Sequence, residues 1–260
     1  MKKLPSMLMA LICLHAAGCV SWDMIRVQRQ REAAIRYPSA DWQERRSIAH
    51  DIVRYYGKDK NDLVIGILAY ACRDPHPAVR MEAVQSLAKI KPEHALPLLQ
   101  KIAREDSSDN VRWYALAALR VFNDPSSADI FVQGLGSPDW LIREECVRGI
   151  CSLDDATVRA KLIPPIIKAM HDPSTSVMLT ALRQVRTRDD RIYTVIAEKL
   201  KSATNNDYSL LEACLIALKG YRLDPKTKEK VINLLLHNNP RIRILALRVL
   251  KEDRILAKPR

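Results

Sequence analysis

This sequence has little phenylalanine and little glycine. The 260 residues include only 2 Phe and 7 Gly. Sheet proteins with many tight turns use glycine where the backbone needs a positive φ, so this scarcity argues against a sheet-rich fold. Leu, Ala, Ile, Val, Lys and Arg dominate instead, and this composition favours an all-α protein.

Motifs of the common enzyme classes are also missing. The sequence has no glycine-rich phosphate loop, no HExxH and no GxSxG. Adjacent acids such as Glu144-Glu145 fall near predicted helix starts, where capping explains them. The histidines after the N-terminal segment are scattered without the spacing of metal ligands: His50, His76, His94, His171 and His237. We therefore predict no catalytic residue, no metal, no cofactor and no small-molecule substrate.

Paired cysteine motifs are absent as well, since no CxxC occurs among the 6 cysteines. Cys146 and Cys151 are five residues apart on one predicted helix, a spacing that does not bring their Cβ atoms together. With Cys72 and Cys214 they are predicted to be small apolar core residues, and disulfides or ligands are the alternative.

The N-terminal segment has the pattern of an export signal. Lys2 and Lys3 precede an apolar run over 4–14, which is too short to span a bilayer because a spanning helix needs roughly 20 apolar residues. It is long enough for a secretory signal peptide, predicted here as residues 1–18.

The residues Ala16-Ala17-Gly18-Cys19 resemble the lipobox of bacterial lipoproteins, with Ala16 where that family usually has Leu. The resemblance implies cleavage before Cys19, lipidation of its thiol, and a membrane anchor without a transmembrane helix. An ordinary cleaved signal, or an uncleaved start with a chance cysteine, is the alternative. Val20 follows the cysteine, at the position where an Asp marks inner-membrane retention in well-studied diderm bacteria. The absence of that Asp resembles an outer-membrane lipoprotein. The expected location is the cell envelope, lipid-anchored at the outer membrane and facing the periplasm.

An internal repeat is the main signal in the rest of the chain. A turn rich in Asp, Asn, Pro and Ser is followed by an apolar residue that anchors a helical pattern. These anchors are Val79, Val111, Ile142, Val177, Leu210 and Ile242, with separations of 32, 31, 35, 33 and 32 residues. A weaker first copy centres on residues 45–53.

Each repeat has room for two helices. Apolar or small residues follow each anchor at +4, +5 and +8, and a second apolar-periodic stretch lies between consecutive anchors. One hairpin of two helices cannot bury its own apolar face, but stacked hairpins can. The sequence therefore predicts an all-α fold, an α-solenoid of about six to seven helical hairpins.

The turn Asp74-Pro75-His76-Pro77-Ala78-Val79-Arg80 resembles the short HEAT repeat, a type also found in phycobilisome-lyase-like proteins. The resemblance covers 41–253 and implies a non-enzymatic binding scaffold. Met178 and Leu211 depart from it, because the family pattern has Arg at these positions. Residues 19–40 are predicted to be a tether with one short helix, and residues 254–260 a basic tail.

The residue after the anchor is an arginine in four repeats: Arg80, Arg112, Arg143 and Arg243. On a helical wheel this position is partly buried near the turns. A buried guanidinium needs an acidic partner, and aspartates lie in the neighbouring turns. We predict a structural Arg–Asp ladder, with ligand binding as the alternative.

Positions +6 and +9 face away from the predicted core, on the helices that line the concave surface of HEAT arrays. Seven of these twelve residues are cationic and none is anionic, and we call the seven the basic stripe: Arg120, Arg148, Arg183, Arg186, Lys219, Arg248 and Lys251. Such a stripe attracts anionic partners in a salt-dependent way. A merely solvated basic surface is the alternative.

These features together predict an envelope scaffold that binds a protein, an anionic envelope polymer or lipid head groups. A nucleic-acid protein resembling the HEAT-like alkylpurine DNA glycosylases is the alternative if residues 1–18 are not a signal. A bilin-lyase-like enzyme or its assembly factor is a third. The export signal argues against both.

Overall fold

The computed structural model describes residues 22–56, 62–153 and 155–256, and most of these residues are helical. Fourteen α-helices and no β-strand occur in these ranges, which confirms the all-α prediction. The chain divides into two compact units, Met1–Phe122 and Asn123–Arg260. The predicted signal, Cys19 and residues 257–260 lie outside the described ranges.

The first unit holds three helical hairpins. Its helices are α1 Trp22–Arg36, α2 Trp42–Asp51, α3 Asp62–Ala71, α4 Pro77–Ile90, α5 Leu96–Glu105 and α6 Asp109–Phe122. The second helix of each hairpin stacks on that of the next, α2 on α4 and α4 on α6, and the two helices of a hairpin also pack together in α3–α4 and α5–α6.

Helix α1 belongs to this stack, which differs from the predicted tether over 19–40. The Gln30 side chain is buried and donates to the carbonyl of Tyr55 at 2.7 Å. Tyr37 is also buried, and its hydroxyl donates to Asp74 at 2.9 Å. Because α1 also packs on α3, its amphipathic pattern is the buried side of a first hairpin, and the array begins before residue 41.

The second unit holds four hairpins. Its helices are α7 Ala128–Gly134, α8 Trp140–Ser152, α9 Ala156–Met170, α10 Thr175–Gln184, α11 Asp190–Ser202, α12 Tyr208–Ala217, α13 Pro225–Asn233 and α14 Pro240–Leu256. First helices stack in the order α7, α9, α11, α13, and second helices in the order α8, α10, α12, α14. Helix α14 extends three residues into the predicted tail.

The acidic turns start helices as expected from their chemistry. Asp139 accepts from the amide of Leu141 at 2.9 Å, and Asp224 accepts from the amide of Lys226 at 3.0 Å. Each carboxylate satisfies a backbone donor that has no partner within the helix, and it also interacts favourably with the helix dipole. The turn sequence therefore fixes where each of these helices begins.

Small residues at the stacking surface let the helices approach closely. Ser86 on α4 is buried and donates to the carbonyl of Ala49 on α2 at 2.8 Å. Gly149 on α8 lies against the ring of Phe131, and a Cβ there would be 2.3 Å from the ring carbon Cε1. Of the six anchors, Leu210 is partly exposed and the others are buried.

Candidate functional site

Three arginines, Arg45, Arg80 and Arg143, each bind an aspartate of the following hairpin through two parallel hydrogen bonds. Arg80 donates from Nε and Nη2 to the two carboxylate oxygens of Asp106, both at 2.8 Å. Arg143 binds Asp172 in the same way at 2.8 and 2.9 Å. Two-bond arginine–carboxylate pairs are strong and directional, so each pair fixes the spacing of successive turns.

The third nitrogen of the same guanidinium binds the turn of its own hairpin. Nη1 of Arg80 donates to the carbonyl of Asp74 at 2.9 Å, and Nη1 of Arg143 donates to that of Ser137 at 2.9 Å. One guanidinium therefore joins two turns, which a lysine has too few directed donors to do. This geometry matches a structural role for the ladder.

Two aspartates of the ladder, Asp74 and Asp172, have lowered pKa values and are held in the charged form. Burial alone would raise the pKa of Asp172, but hydrogen bonds from Arg143 and from the Ser174 amide outweigh it and hold the pKa below its usual value. The pKa of Asp74 is lowered by the same balance, with Arg45 as its partner.

Arg45 is a member of the ladder that the sequence analysis missed. It donates to both carboxylate oxygens of Asp74, at 2.6 and 3.0 Å. The first repeat has Glu44 where the other copies have an apolar or small anchor, so the pattern is weak there. Its remaining signal is the helical spacing of Ile48, Ala49 and Ile52.

Two of the predicted ladder arginines have other partners. Arg112 donates to the carbonyl of Asp106 at 3.0 Å and pairs with Asp109 on its own helix. Arg243 donates to the carbonyls of His237 and Asn238 at 2.8 and 2.9 Å. In the ranges that the structure covers, no carboxylate lies within hydrogen-bond distance of its Nε and Nη2.

The basic stripe is divided between helices and loops. Five of its members lie on second helices: Arg120, Arg148, Arg183, Arg248 and Lys251. Arg186 and Lys219 lie beyond helix ends, contrary to the helical wheel, since α10 ends at Gln184 and α12 at Ala217.

Tertiary contacts explain both early helix ends. The hydroxyl of Tyr221 donates to the carbonyl of Thr187 at 3.3 Å and accepts from the amide of Asp189 at 3.1 Å, which holds the loop after α10. Gly220 has a φ of +77° after α12, where a side chain would be strained and would meet Arg188. A helical wheel takes no account of contacts with other parts of the chain, so it predicted neither helix end.

Part of the stripe is neutralised by glutamates. Arg148 pairs with Glu144 at 2.6 Å and Glu145 at 3.3 Å, and Glu144 also accepts from the hydroxyl of Thr180 on α10 at 2.8 Å. The prediction that Glu144 and Glu145 act as caps is wrong, because both are buried within α8. Their side chains compensate the charge of Arg148 and, in the case of Glu144, join two stacked helices.

The next stripe cation toward the C-terminus is also paired. Arg183 lies 3.8 Å from Glu212, a residue of the following second helix that also pairs with Arg241 at 2.5 Å. Four stripe cations have no carboxylate at ion-pair distance within 22–56, 62–153 and 155–256: Arg186, Lys219, Arg248 and Lys251. We call these four the C-terminal basic patch, and all of them are exposed.

A cavity of ≈170 Å³ between α12 and α14 adjoins this patch. It is lined by Leu215, Ile216, Lys219, Leu245, Arg248, Val249 and Glu252. The amide of Gly220 donates to the Glu252 carboxylate at 2.9 Å. Lys219 and Arg248 thus stand beside an apolar wall, an arrangement that suits a ligand with neighbouring anionic and apolar groups.

The cysteine thiols in the described part of the chain are free. Burial raises the pKa of Cys72 and of Cys214 to about 12, so both stay protonated. No cluster of three or more potential metal ligands occurs among the described residues. In that same part of the chain, no helix combines the length and apolarity needed to cross a bilayer.

Sequence comparison agrees with the repeat geometry. The family model for HEAT repeats matches residues 31–120 and 96–164, and together these matches cover more than half of the chain. The chain belongs to the HEAT-repeat family. The match begins inside α1, in agreement with the packing of that helix in the first HEAT hairpin. A search of curated protein sequences finds no match.

Solved structures show the same architecture. The X-ray structure of YibA from Escherichia coli is similar at a TM-score of 0.64 with 21% identity, over 87% of this chain and 81% of that one. The archaeal HEAT-like repeats protein from Thermococcus onnurineus NA1 has a TM-score of 0.51 with 17% identity, over 90% and 98%. At these identities the likeness concerns the HEAT-type fold alone.

Proposed function

We propose that this HEAT-repeat chain is a lipid-anchored scaffold of the bacterial cell envelope that binds an acidic segment of a partner protein. The C-terminal basic patch is the contact surface in this proposal. The mechanism is recognition and local concentration at a membrane, with no covalent step.

The contrast between paired and unpaired cations supports this choice of surface. Arg148 and Arg183 have glutamate partners within the fold, whereas the four cations of the patch have none in the described ranges. Their summed potential attracts an anion, and the attraction weakens with salt.

The cavity beside the patch favours a protein segment over a polymer of uniform charge. Lys219 and Arg248 flank apolar atoms of Leu215 and Leu245 in the same cavity. A segment with an acidic residue next to a leucine-like residue satisfies both parts of that surface. A sugar–phosphate polymer has no comparable apolar group for the wall.

The anchoring part of the proposal rests on the sequence. The basic start, the apolar run over 4–14 and the lipobox-like Ala16-Ala17-Gly18-Cys19 together support export and lipidation. A single lipid chain gives marginal membrane binding, so retention is expected to depend on the complete modification of Cys19.

Binding is tested with a fluorescein-labelled peptide of alternating Glu and Leu residues. We expect binding that weakens between about 0.05 M and about 0.5 M salt, and a loss of about tenfold or more in affinity for Arg186→Glu with Lys219→Glu. The matched control is Lys161→Glu with Lys226→Glu, which makes the same charge change on exposed residues of first helices. An equal loss of affinity in both variants would mean that binding depends on the overall charge of the protein and not on the patch.

A second peptide, with Gln in place of Glu, separates charge from apolar contact and should not bind. Lipopolysaccharide and an anionic wall polymer are tested as competitors of the labelled peptide. If either displaces it at a lower concentration than unlabelled Glu–Leu peptide does, the partner is an envelope component and not a protein.

Anchoring is tested by labelling with a clickable palmitate, comparing the wild type with Cys19→Ala in fractionated cells. Label that depends on Cys19 and stays with the membrane supports the tethered scaffold. An unlabelled protein inside the cell overturns it, and binding to a fluorescent DNA duplex is then the measurement to make.

A further inference from the structure

The last hairpin, α13–α14, exposes apolar residues at positions that the preceding hairpin buries. Leu215 on α12 is 1% exposed and lines the cavity against α14, whereas Leu247, one 32-residue repeat later, is 60% exposed. The same shift relates Leu200 to Ile232 and Leu223 to Ile255. The exposed fraction rises from 0% to 47% in the first pair and from 8% to 61% in the second.

This exposed surface is therefore half of an inter-repeat interface. Inside the second unit, α14 covers α12, and α13 stacks on α11. Among the described residues, nothing occupies the equivalent place beyond α13 and α14. Solvent-exposed surfaces of repeats normally carry polar residues, and the outer side of α13 and α14 carries a row of aliphatic side chains instead.

Arg243 indicates what chemistry is missing. It binds the carbonyls of its own turn through Nη1, as Arg80 and Arg143 do. In those two arginines, Nε and Nη2 hold an aspartate from the turn of the next hairpin. The same edge of Arg243 has no carboxylate within reach in the described ranges, although its guanidinium is already held by its own turn.

We propose that this surface, the C-terminal end face formed by Ile232, Arg243, Ile244, Leu247 and Ile255, binds a helical hairpin of a partner protein. The partner's turn supplies an aspartate to Nε and Nη2 of Arg243. Its helices cover Ile232 and Leu247, as α13 and α14 cover α11 and α12. This surface shares no named residue with the lining of the cavity beside the basic patch, and the inference does not rest on peptide binding there.

A second copy of this chain fits the end face less well. The ladder aspartates lie six residues before the arginine position of their own repeat, as Asp74 does before Arg80, and the corresponding residue of the first repeat is Ser39. The first hairpin therefore offers no carboxylate there. Two end faces brought together would oppose the cations Arg243 and Lys251 of both copies, which repel.

An anionic membrane is the remaining competitor. Lipid head groups would satisfy the charge of Arg243. Lipid head groups do not reproduce the contact between successive hairpins, in which a turn holds one carboxylate beside two apolar helix positions. A folded hairpin supplies the carboxylate and the apolar side chains in one preorganised unit. Its binding therefore costs less ordering entropy than the binding of independent lipids.

The test places a photo-crosslinking amino acid at position 247 of the full chain in its native host, with position 161 on α9 as the control. We expect an adduct with one protein, formed at 247 and not at 161. Its crosslinked segment should be helical and should follow a turn that contains an aspartate.

Arg243→Ala should reduce the adduct at least about tenfold, the equivalent of losing one strong charge-assisted contact. Arg243→Asp combined with Asp→Arg in the partner should restore it. The circular dichroism spectrum of Arg243→Ala must match that of the wild type. Arg243→Lys is a second variant, which keeps the positive charge but loses the two parallel donors of the guanidinium.

Several outcomes overturn the inference: an adduct of the chain with itself, an adduct with lipid, no adduct above the control position, or an adduct unaffected by every Arg243 variant. The Arg186→Glu with Lys219→Glu variant should leave the adduct at 247 unchanged. Failure of the basic-patch proposal and failure of the end-face inference are therefore told apart.

Discussion

Arg80 and Asp106 form a nearly buried ion pair across two successive hairpins, with side chains that are only 11% and 8% exposed. The pair has two parallel bonds of 2.8 Å, and the remaining nitrogen of Arg80 holds the carbonyl of Asp74. The turn between α3 and α4 is thereby linked directly to the turn between α5 and α6.

We predict that Arg80→Ala lowers the free energy of unfolding by about 3 kcal/mol, because it leaves the Asp106 carboxylate buried without its partner. Arg112→Ala is the matched control and should cost about 1 kcal/mol or less, since Arg112 pairs with the exposed Asp109 of its own helix. Urea unfolding followed by circular dichroism measures both. Equal losses of stability would contradict the prediction that the ion pair between hairpins stabilises the fold more than the pair within one helix does.

Acid should weaken the ladder. The pKa values of Asp74 and Asp172 are lower in the folded chain than the unfolded value of about 3.9, so the unfolded state takes up protons first as the pH falls. The stabilisation is complete above that unfolded value and is lost as the pH falls through the folded pKa values. We therefore expect the urea midpoint to drop as the pH is lowered below about 4.

The contribution of one pair to this acid sensitivity can be isolated. Asp172→Asn and Arg143→Ala should each be less stable than the wild type at neutral pH and should each show a shallower loss of stability below about pH 4, since each removes the shifted titration of the same carboxylate. An unchanged slope in both variants would contradict the assignment of the pKa shift to this pair.

Gly149 and Gly66 should respond in opposite directions to alanine. A Cβ at Gly149 would come within 2.3–2.6 Å of the Phe131 ring, whereas a Cβ at Gly66 has nothing within 4 Å. Gly149→Ala should cost about 2 kcal/mol through overpacking. Gly66→Ala should gain about 1 kcal/mol, because alanine is the better helix former in an open helix position. Thermal melts of the two variants check the sign of each change.

The buried cysteines should be unreactive in the folded chain. Since burial raises the pKa of Cys72 and Cys214 to about 12, their thiolate fraction at pH 8 is negligible. Alkylation with iodoacetamide followed by peptide mass spectrometry should find both unmodified without denaturant and fully modified in urea. Rapid labelling of Cys214 in the folded chain would show that α12 opens locally.

The sequence alone determined the repeat architecture of this protein. The anchors from Val79 to Ile242 recur at nearly constant spacing, and the Asp and Pro residues before them place each helix start. Both signals act over short distances along the chain, through helix periodicity and N-capping, and so they can be read without coordinates. The pairing of Arg80 and Arg143 with turn aspartates was also predicted from burial and charge, whereas Arg112 and Arg243 have other partners.

The tertiary structure decided which residues remain available for binding. Arg186 and Lys219 leave their helices because of Tyr221 and Gly220, and Arg148 is neutralised by glutamates that the sequence had suggested as caps. Arg243 keeps one open edge because, among the described residues, no hairpin follows its own. The helix ends and the open edge depend on contacts about one repeat apart or on the place of a repeat in the stack, which the local pattern does not record. The pairs of Arg148 lie within one helix, but Glu144 is also held by Thr180 of the next hairpin.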